Sequence, residues 1–97
     1  MKKIFIDIDN TICHTNGMDY NLSTPIKENI EKANKLHKEG NEIIYWTARG
    51  SGTGICWWRT TINQLWKWGC EFDELRMGKP VYDLFIDDKN MNTKDWK

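Results

Sequence analysis

The sequence predicts a single α/β domain over residues 1–97, a three-layer sandwich around a small, mainly parallel sheet. Short apolar runs rich in strand formers alternate with segments of helical period, the pattern of a sheet with helices packed on it. A length of 97 residues suits one domain. Polar side chains recur at the ends of the apolar runs.

Lys3-Ile4-Phe5-Ile6 and Ile8 form the first run, broken by Asp7 and Asp9, and read as a buried parallel strand. Residues 10–23 are polar, with Asn16-Gly17 as a turn signal. Thr24 is expected to cap a helix with Pro25 in its first turn, carried by Ile26, Ile30, Ala33 and Leu36 and stopped at Gly40. Glu42 to Thr47 is a second strand. After the glycine-rich stretch Arg49 to Gly54, a second helix places Ile55, Trp58, Ile62, Leu65 and Trp66 on one stripe and ends near Gly69. Phe72 to Arg76 is expected as a third strand, and Leu84-Phe85-Ile86 as a fourth, ending at Asp87-Asp88. The link between these last two is shorter than the dozen or so residues usual for a parallel crossover, which predicts a cramped turn.

Composition narrows the function. Lys+Arg and Asp+Glu balance at 14 each, which speaks against a duplex nucleic-acid binder with its basic face. Mean hydropathy is −0.72 and no stretch approaches the ~18 apolar residues of a membrane span. Asp7 and Asp9 interrupt any signal-peptide pattern after Met1-Lys2-Lys3. Cys13, Cys56 and Cys70 are an odd set without zinc spacing, as expected of reduced thiols in a cytoplasmic protein.

In an open parallel sheet, ligands bind outside the carboxyl ends of the strands. Asp7 and Asp9 close the first predicted strand, Thr47 the second and Asp87 and Asp88 the last, while Lys79 follows the third. Parallel strands would bring all of these to one edge. Four carboxylates there repel one another, and Mg²⁺, which takes oxygen ligands, would hold them together with a substrate phosphate. Asp7 can then attack phosphorus. Asp9, two residues on, can protonate the leaving oxygen and afterwards activate water. Lys79 and the Thr47 hydroxyl would bind the phosphoryl oxygens.

Asp7-Ile8-Asp9-Asn10-Thr11 after an apolar strand resembles the first motif of the haloacid dehalogenase superfamily. Thr47 after Ile43-Ile44-Tyr45-Trp46 is similar to the second, Gly78-Lys79-Pro80 to the third and Ile86-Asp87-Asp88 to the fourth. The four follow the family order across essentially the whole chain. Glu42 to Arg49 and the short length resemble small phosphatases of capsule or surface-polysaccharide biosynthesis. The resemblance implies a Rossmann-like sandwich, with no insertion long enough for a separate cap domain. It implies Asp7 as nucleophile, Asp9 as acid/base, phosphate binding by Thr47, Ala48 and Lys79, and Mg²⁺ held by Asp7, the Asp9 main-chain carbonyl and the Asp87–Asp88 pair. Asn10 stands where many members have Gly, and Asn tolerates unusual backbone angles. The expected substrate is a phosphorylated sugar or small metabolite. A nucleic-acid end, a phosphoprotein or a non-catalytic phospho-acceptor role are the alternatives.

Other features have blander readings. Gly50-x-Gly52-x-Gly54 has neither the place nor the spacing of a dinucleotide fingerprint and is expected to be a substrate-entry loop. Arg49 either grips a second substrate group or forms a surface ion pair. Trp57 and Trp68 fall on one helical meridian, for partial burial, a subunit interface or ring stacking. Signalling receiver domains carry their acidic pair early and Thr before Lys only after a mid-chain Asp, an order this chain does not have.

Overall fold

The computed structural model describes residues 1–97. Along the chain run β1 (Lys3–Ile6), β2 (Cys13–His14), a 3-10 turn at Tyr20–Leu22, β3 (Thr24–Pro25), α1 (Lys27–Lys38), β4 (Glu42–Trp46), α2 (Trp58–Lys67), β5 (Glu74–Arg76) and a second 3-10 turn at Thr93–Asp95. β4 is the central strand, parallel to β1 on one side and to β5 on the other. Ile6 stands opposite Tyr45, and Tyr45 opposite Leu75. This is a small α/β fold with a parallel three-stranded sheet.

Side chains alternate across the sheet. Ile6 and Ile8, with Ile43 and Tyr45 of β4, form one cluster with Ile30 and Ala33 of α1 and Leu65 of α2. Both helices therefore cover the same face, as two crossovers of one hand running in one direction demand. On the opposite face Phe5 meets Trp46 edge to face at 5.6 Å, and the Arg76 guanidinium lies 5.2 Å over the Phe5 ring. No helix lies over that face, and Phe5 stays 43% exposed.

The expected fourth strand is absent: Leu84, Phe85 and Ile86 form no strand and are 75%, 47% and 86% exposed. Strand formers make a strand only when an edge pairs with them, and β1 pairs with β4 alone. Nor does Thr24 cap α1. It pairs with His14 in an antiparallel hairpin, the Ile26 N–H donates to the Ile12 carbonyl at 2.8 Å, and the helix starts at Lys27 without a side-chain cap. α2 buries Thr61, Ile62 and Leu65, leaving Ile55, Trp58 and Trp66 exposed. Trp57 precedes that helix and meets Tyr20 edge to face at 4.9 Å, and Trp68 follows it and packs on the core cluster. No helix is long and apolar enough to cross a membrane.

Tyr45 is fully buried, and its hydroxyl makes no hydrogen bond. An unsatisfied buried hydroxyl costs about 1–3 kcal/mol. Tyr45→Phe is therefore expected to leave stability unchanged or to raise it by about 1 kcal/mol in a denaturant titration. A clear loss would mean that the hydroxyl is bonded after all.

All three cysteines are free thiols, Cys13 and Cys70 buried and Cys56 exposed. Burial pushes the Cys70 thiol up from 9.0 to about 12. Between those values the unfolded chain has lost a proton that the folded chain keeps. The stabilisation is complete below pH 9.0 and drains away as pH rises towards about 12. The contribution of this one thiol is at most about 1.4 kcal/mol per pH unit. Urea titrations should be level in this respect up to pH 9.0 and decline above it, and Cys70→Ser should reduce the decline. An unchanged slope in Cys70→Ser would refute the assignment.

Candidate active site

The carboxyl edge of the sheet gathers Asp7, Asp9, Thr47, Ala48 and Lys79. Asp7 follows β1 directly, and its Oδ1 lies 3.3 Å from the Lys79 ammonium. The Thr11 hydroxyl donates to the other oxygen of Asp7 at 3.3 Å. Lys79 is held at its backbone, its N–H donating to the Thr47 carbonyl at 3.0 Å and its carbonyl accepting from the Ser51 hydroxyl at 2.7 Å. Its side chain is only 14% exposed. Burial works to lower the ammonium's pKa, but the Asp7 carboxylate and the Tyr82 hydroxyl outweigh it, and the net shift is upward. Lys79 is thus a cation at every physiological pH.

Thr47, directly after β4, is fully buried, its N–H donating to the Arg76 carbonyl of β5 at 3.0 Å. Its hydroxyl accepts from the Arg49 N–H at 3.1 Å, which leaves its own proton to donate. No hydrogen bond of the chain uses the N–H groups of Asp9 or Ala48. Asn10 has φ +60°, the left-handed conformation for which Asn is suited, and its side chain accepts from the Thr15 N–H at 3.2 Å. That residue turns the chain from β1 into the segment around β2 and β3, which forms a flap beside the site.

Arg49 is neither a surface ion pair nor an open hand for substrate. Its side chain is 0% exposed and forks onto Asp9, with Nε 3.0 Å from Oδ2 and Nη2 2.8 Å from Oδ1. Nη1 donates to Thr61 and Gln64 of α2 at 3.0 and 2.6 Å, and Nη2 to Ser23 of the flap at 3.4 Å. The guanidinium also lies 4.8 Å from the centre of the Tyr20 ring. One cation therefore joins the acid/base candidate, the flap and α2. A motif reading misses it because its anionic partner is 40 residues away; the only hint was an arginine two positions past the strand-end threonine.

The glycine loop folds tightly next to this cation. Gly50 has φ +83°, the N–H of Gly54 returns to its carbonyl at 2.8 Å, and a side chain there would strike the Ile55 carbonyl. Arg49, Gly50, Ile55, Trp57 and Met77 line a shallow cleft of about 170 Å³.

Asp87 and Asp88 do not join the site. Both are exposed in residues 80–92, and no three acidic, His or Cys groups of the chain come close enough to hold a metal ion. Asp87 and Asp88 are not brought to Asp7 and Asp9, because the strand that should deliver them is not formed and the free edge of β1 stays unpaired. What remains is the Asp7 carboxylate and the Asp9 main-chain carbonyl, which accepts no backbone hydrogen bond. These hard oxygens suit Mg²⁺, which needs one or two carboxylates beside water and a phosphate.

No family model matches the sequence, and no curated protein does. The crystal structure of a structural-genomics target from Vibrio cholerae is similar, with a TM-score of 0.88 and 29% identity over 99% of this chain and 87% of that one. That likeness takes in residues 80–92.

Proposed function

We propose that the chain is a Mg²⁺-dependent phosphomonoester hydrolase of the haloacid dehalogenase type, acting on a phosphorylated sugar or small metabolite in the cytoplasm. The observation that carries this reading is Asp7 at the end of β1, 3.3 Å from a Lys79 that is pinned to Thr47. Asp7 attacks phosphorus, the leaving oxygen departs, and an aspartyl-phosphate forms. Water then attacks that phosphorus and returns the carboxylate. In this reading Lys79 faces the phosphoryl oxygens, and the Thr47 hydroxyl and Ala48 N–H, neither proton used within the chain, donate to them. Asp9 supplies the proton to the leaving group and takes one from the water. Asp7 and the Asp9 main-chain carbonyl would hold Mg²⁺, which would supply charge neutralisation at the phosphate. The three-layer, Rossmann-like form belongs to this reading.

A slow phospho-acceptor is the second reading, favoured by one observation: Asp9 is already committed to Arg49 at 2.8 Å. Phosphate release from an aryl phosphate and a panel of sugar phosphates, with Mg²⁺ and with EDTA, separates the two. Repeated turnover that EDTA abolishes supports the hydrolase. A single stoichiometric burst followed by a stable phospho-protein supports the acceptor, and no transfer from any compound defeats both.

A further inference from the structure

We propose that residues 80–92 form an exchanged arm, whose Asp83–Ile86 stretch adds as a fourth parallel strand to the free edge of β1 in a second copy of this chain. Both ends of the arm are fixed to their own body. Lys79 is pinned at Thr47, while the Thr93 and Thr11 hydroxyls are 3.3 Å apart and the Trp96 carbonyl accepts from Lys32 at 2.8 Å. Between these anchors no backbone hydrogen bond involves residues 80–91. Val81, Leu84 and Ile86 are 72%, 75% and 86% exposed. A structureless loop of this length is uncommon in a compact domain unless it binds something. An apolar strand former with all its backbone groups unpaired is suited to adding to a sheet edge.

β1 offers that edge. It pairs with β4 on one side and with nothing on the other, an arrangement that proteins normally blunt or cover. The two segments match in register. Lys3-Ile4-Phe5-Ile6-Asp7 faces Asp83-Leu84-Phe85-Ile86-Asp87, residue against residue. In that register Asp83 meets Lys3. Leu84 and Ile86 fall beside Ile4 and Ile6 on the helix-covered face, and Phe85 beside Phe5 on the open one.

The chain's own β1 is the poorer receptor. Only the four residues Pro80 to Asp83 separate the pinned Lys79 from Leu84. A strand parallel to β1 has to start at the amino end of the sheet, away from Lys79, and a parallel crossover needs a dozen residues or more. Reaching into a neighbour removes that constraint. Resting on the phosphatase reading, the exchange also has a chemical consequence: the second copy's arm carries its Asp87 and Asp88 to the Asp7 that lacks them.

The test joins Lys3→Cys to Asp83→Cys in a Cys56→Ser background, under mild oxidation and non-reducing electrophoresis. An exchanged arm gives a covalent dimer. A monomer with an internal disulfide, or no disulfide at all, overturns the proposal. Light scattering should give twice the chain's 11.5 kDa, falling to one chain in Ile86→Lys, an exposed position whose change leaves the fold of the body alone. A wild-type monomer overturns it equally. Mixing inactive Asp7→Asn with inactive Asp87→Asn/Asp88→Asn should restore activity in one of the two sites of the mixed dimer. If the wild type has no activity either, the phosphatase reading fails while cross-linking still decides the exchange.

Discussion

Asp7→Asn is expected to slow phosphate release by roughly 10⁴-fold or more while the protein stays folded, as removal of a nucleophile does. The amide keeps the shape and the hydrogen bond from Thr11, but cannot form the acyl phosphate. It also withdraws the negative charge that faces Lys79 at 3.3 Å. Asp7 is partly exposed, so the stability change should stay within about 1 kcal/mol. Activity near the wild-type level in Asp7→Asn would remove the covalent mechanism. Measuring release together with hydroxylamine-labile phosphate on the protein distinguishes loss of attack from a stalled second step.

Arg49→Ala is expected to be the most damaging substitution for stability, about 3 kcal/mol, the lower end for breaking a buried pair because Asp9 keeps some access to water. For a domain of this size that lowers the melting temperature by roughly 12 °C or more. The loss has several parts. Asp9 is left without its fork, Thr61 and Gln64 without their donor, and the flap without the contact between Arg49 and Ser23. Arg49→Lys keeps the charge but cannot bond Asp9 and α2 at once, and should recover only part of the loss. Thermal melts of the two variants make the comparison, and an Arg49→Ala melt within about 3 °C of wild type would show the pair to be idle.

Much of the architecture follows from local pattern. β1, α1, β4 and β5 lie where apolar runs and helical period place them, because each has an apolar face that only one neighbour can cover. Asp7, Thr47 and Lys79 come together for the same reason, being fixed to strand ends or just past them. The failures are tertiary. Leu84-Phe85-Ile86 has every local property of a strand, yet it pairs with no edge of its own chain, the free side of β1 included. Thr24 has the chemistry of a cap, but pairing of residues 24 and 25 with 13 and 14 outcompetes it. Trp57 and Trp68 share a meridian on an ideal helix, yet the helix spans Trp58–Lys67 and leaves both at its ends. Arg49 was the least readable residue, since burial of a cation is decided by partners on three other segments.

The tight closure at Gly50 divides the glycine loop in evolutionary terms. Any side chain at Gly50 collides with the Ile55 carbonyl, and the Thr53 hydroxyl accepts from the Ile55 N–H at 3.3 Å, whereas a Cβ at Gly52 would find only ordinary contact with Val81. Lineages descended from this chain are free to drift at 52, trying new side chains there while the loop keeps its shape. A new preference for substrate can then arise at this one position without disturbing Arg49.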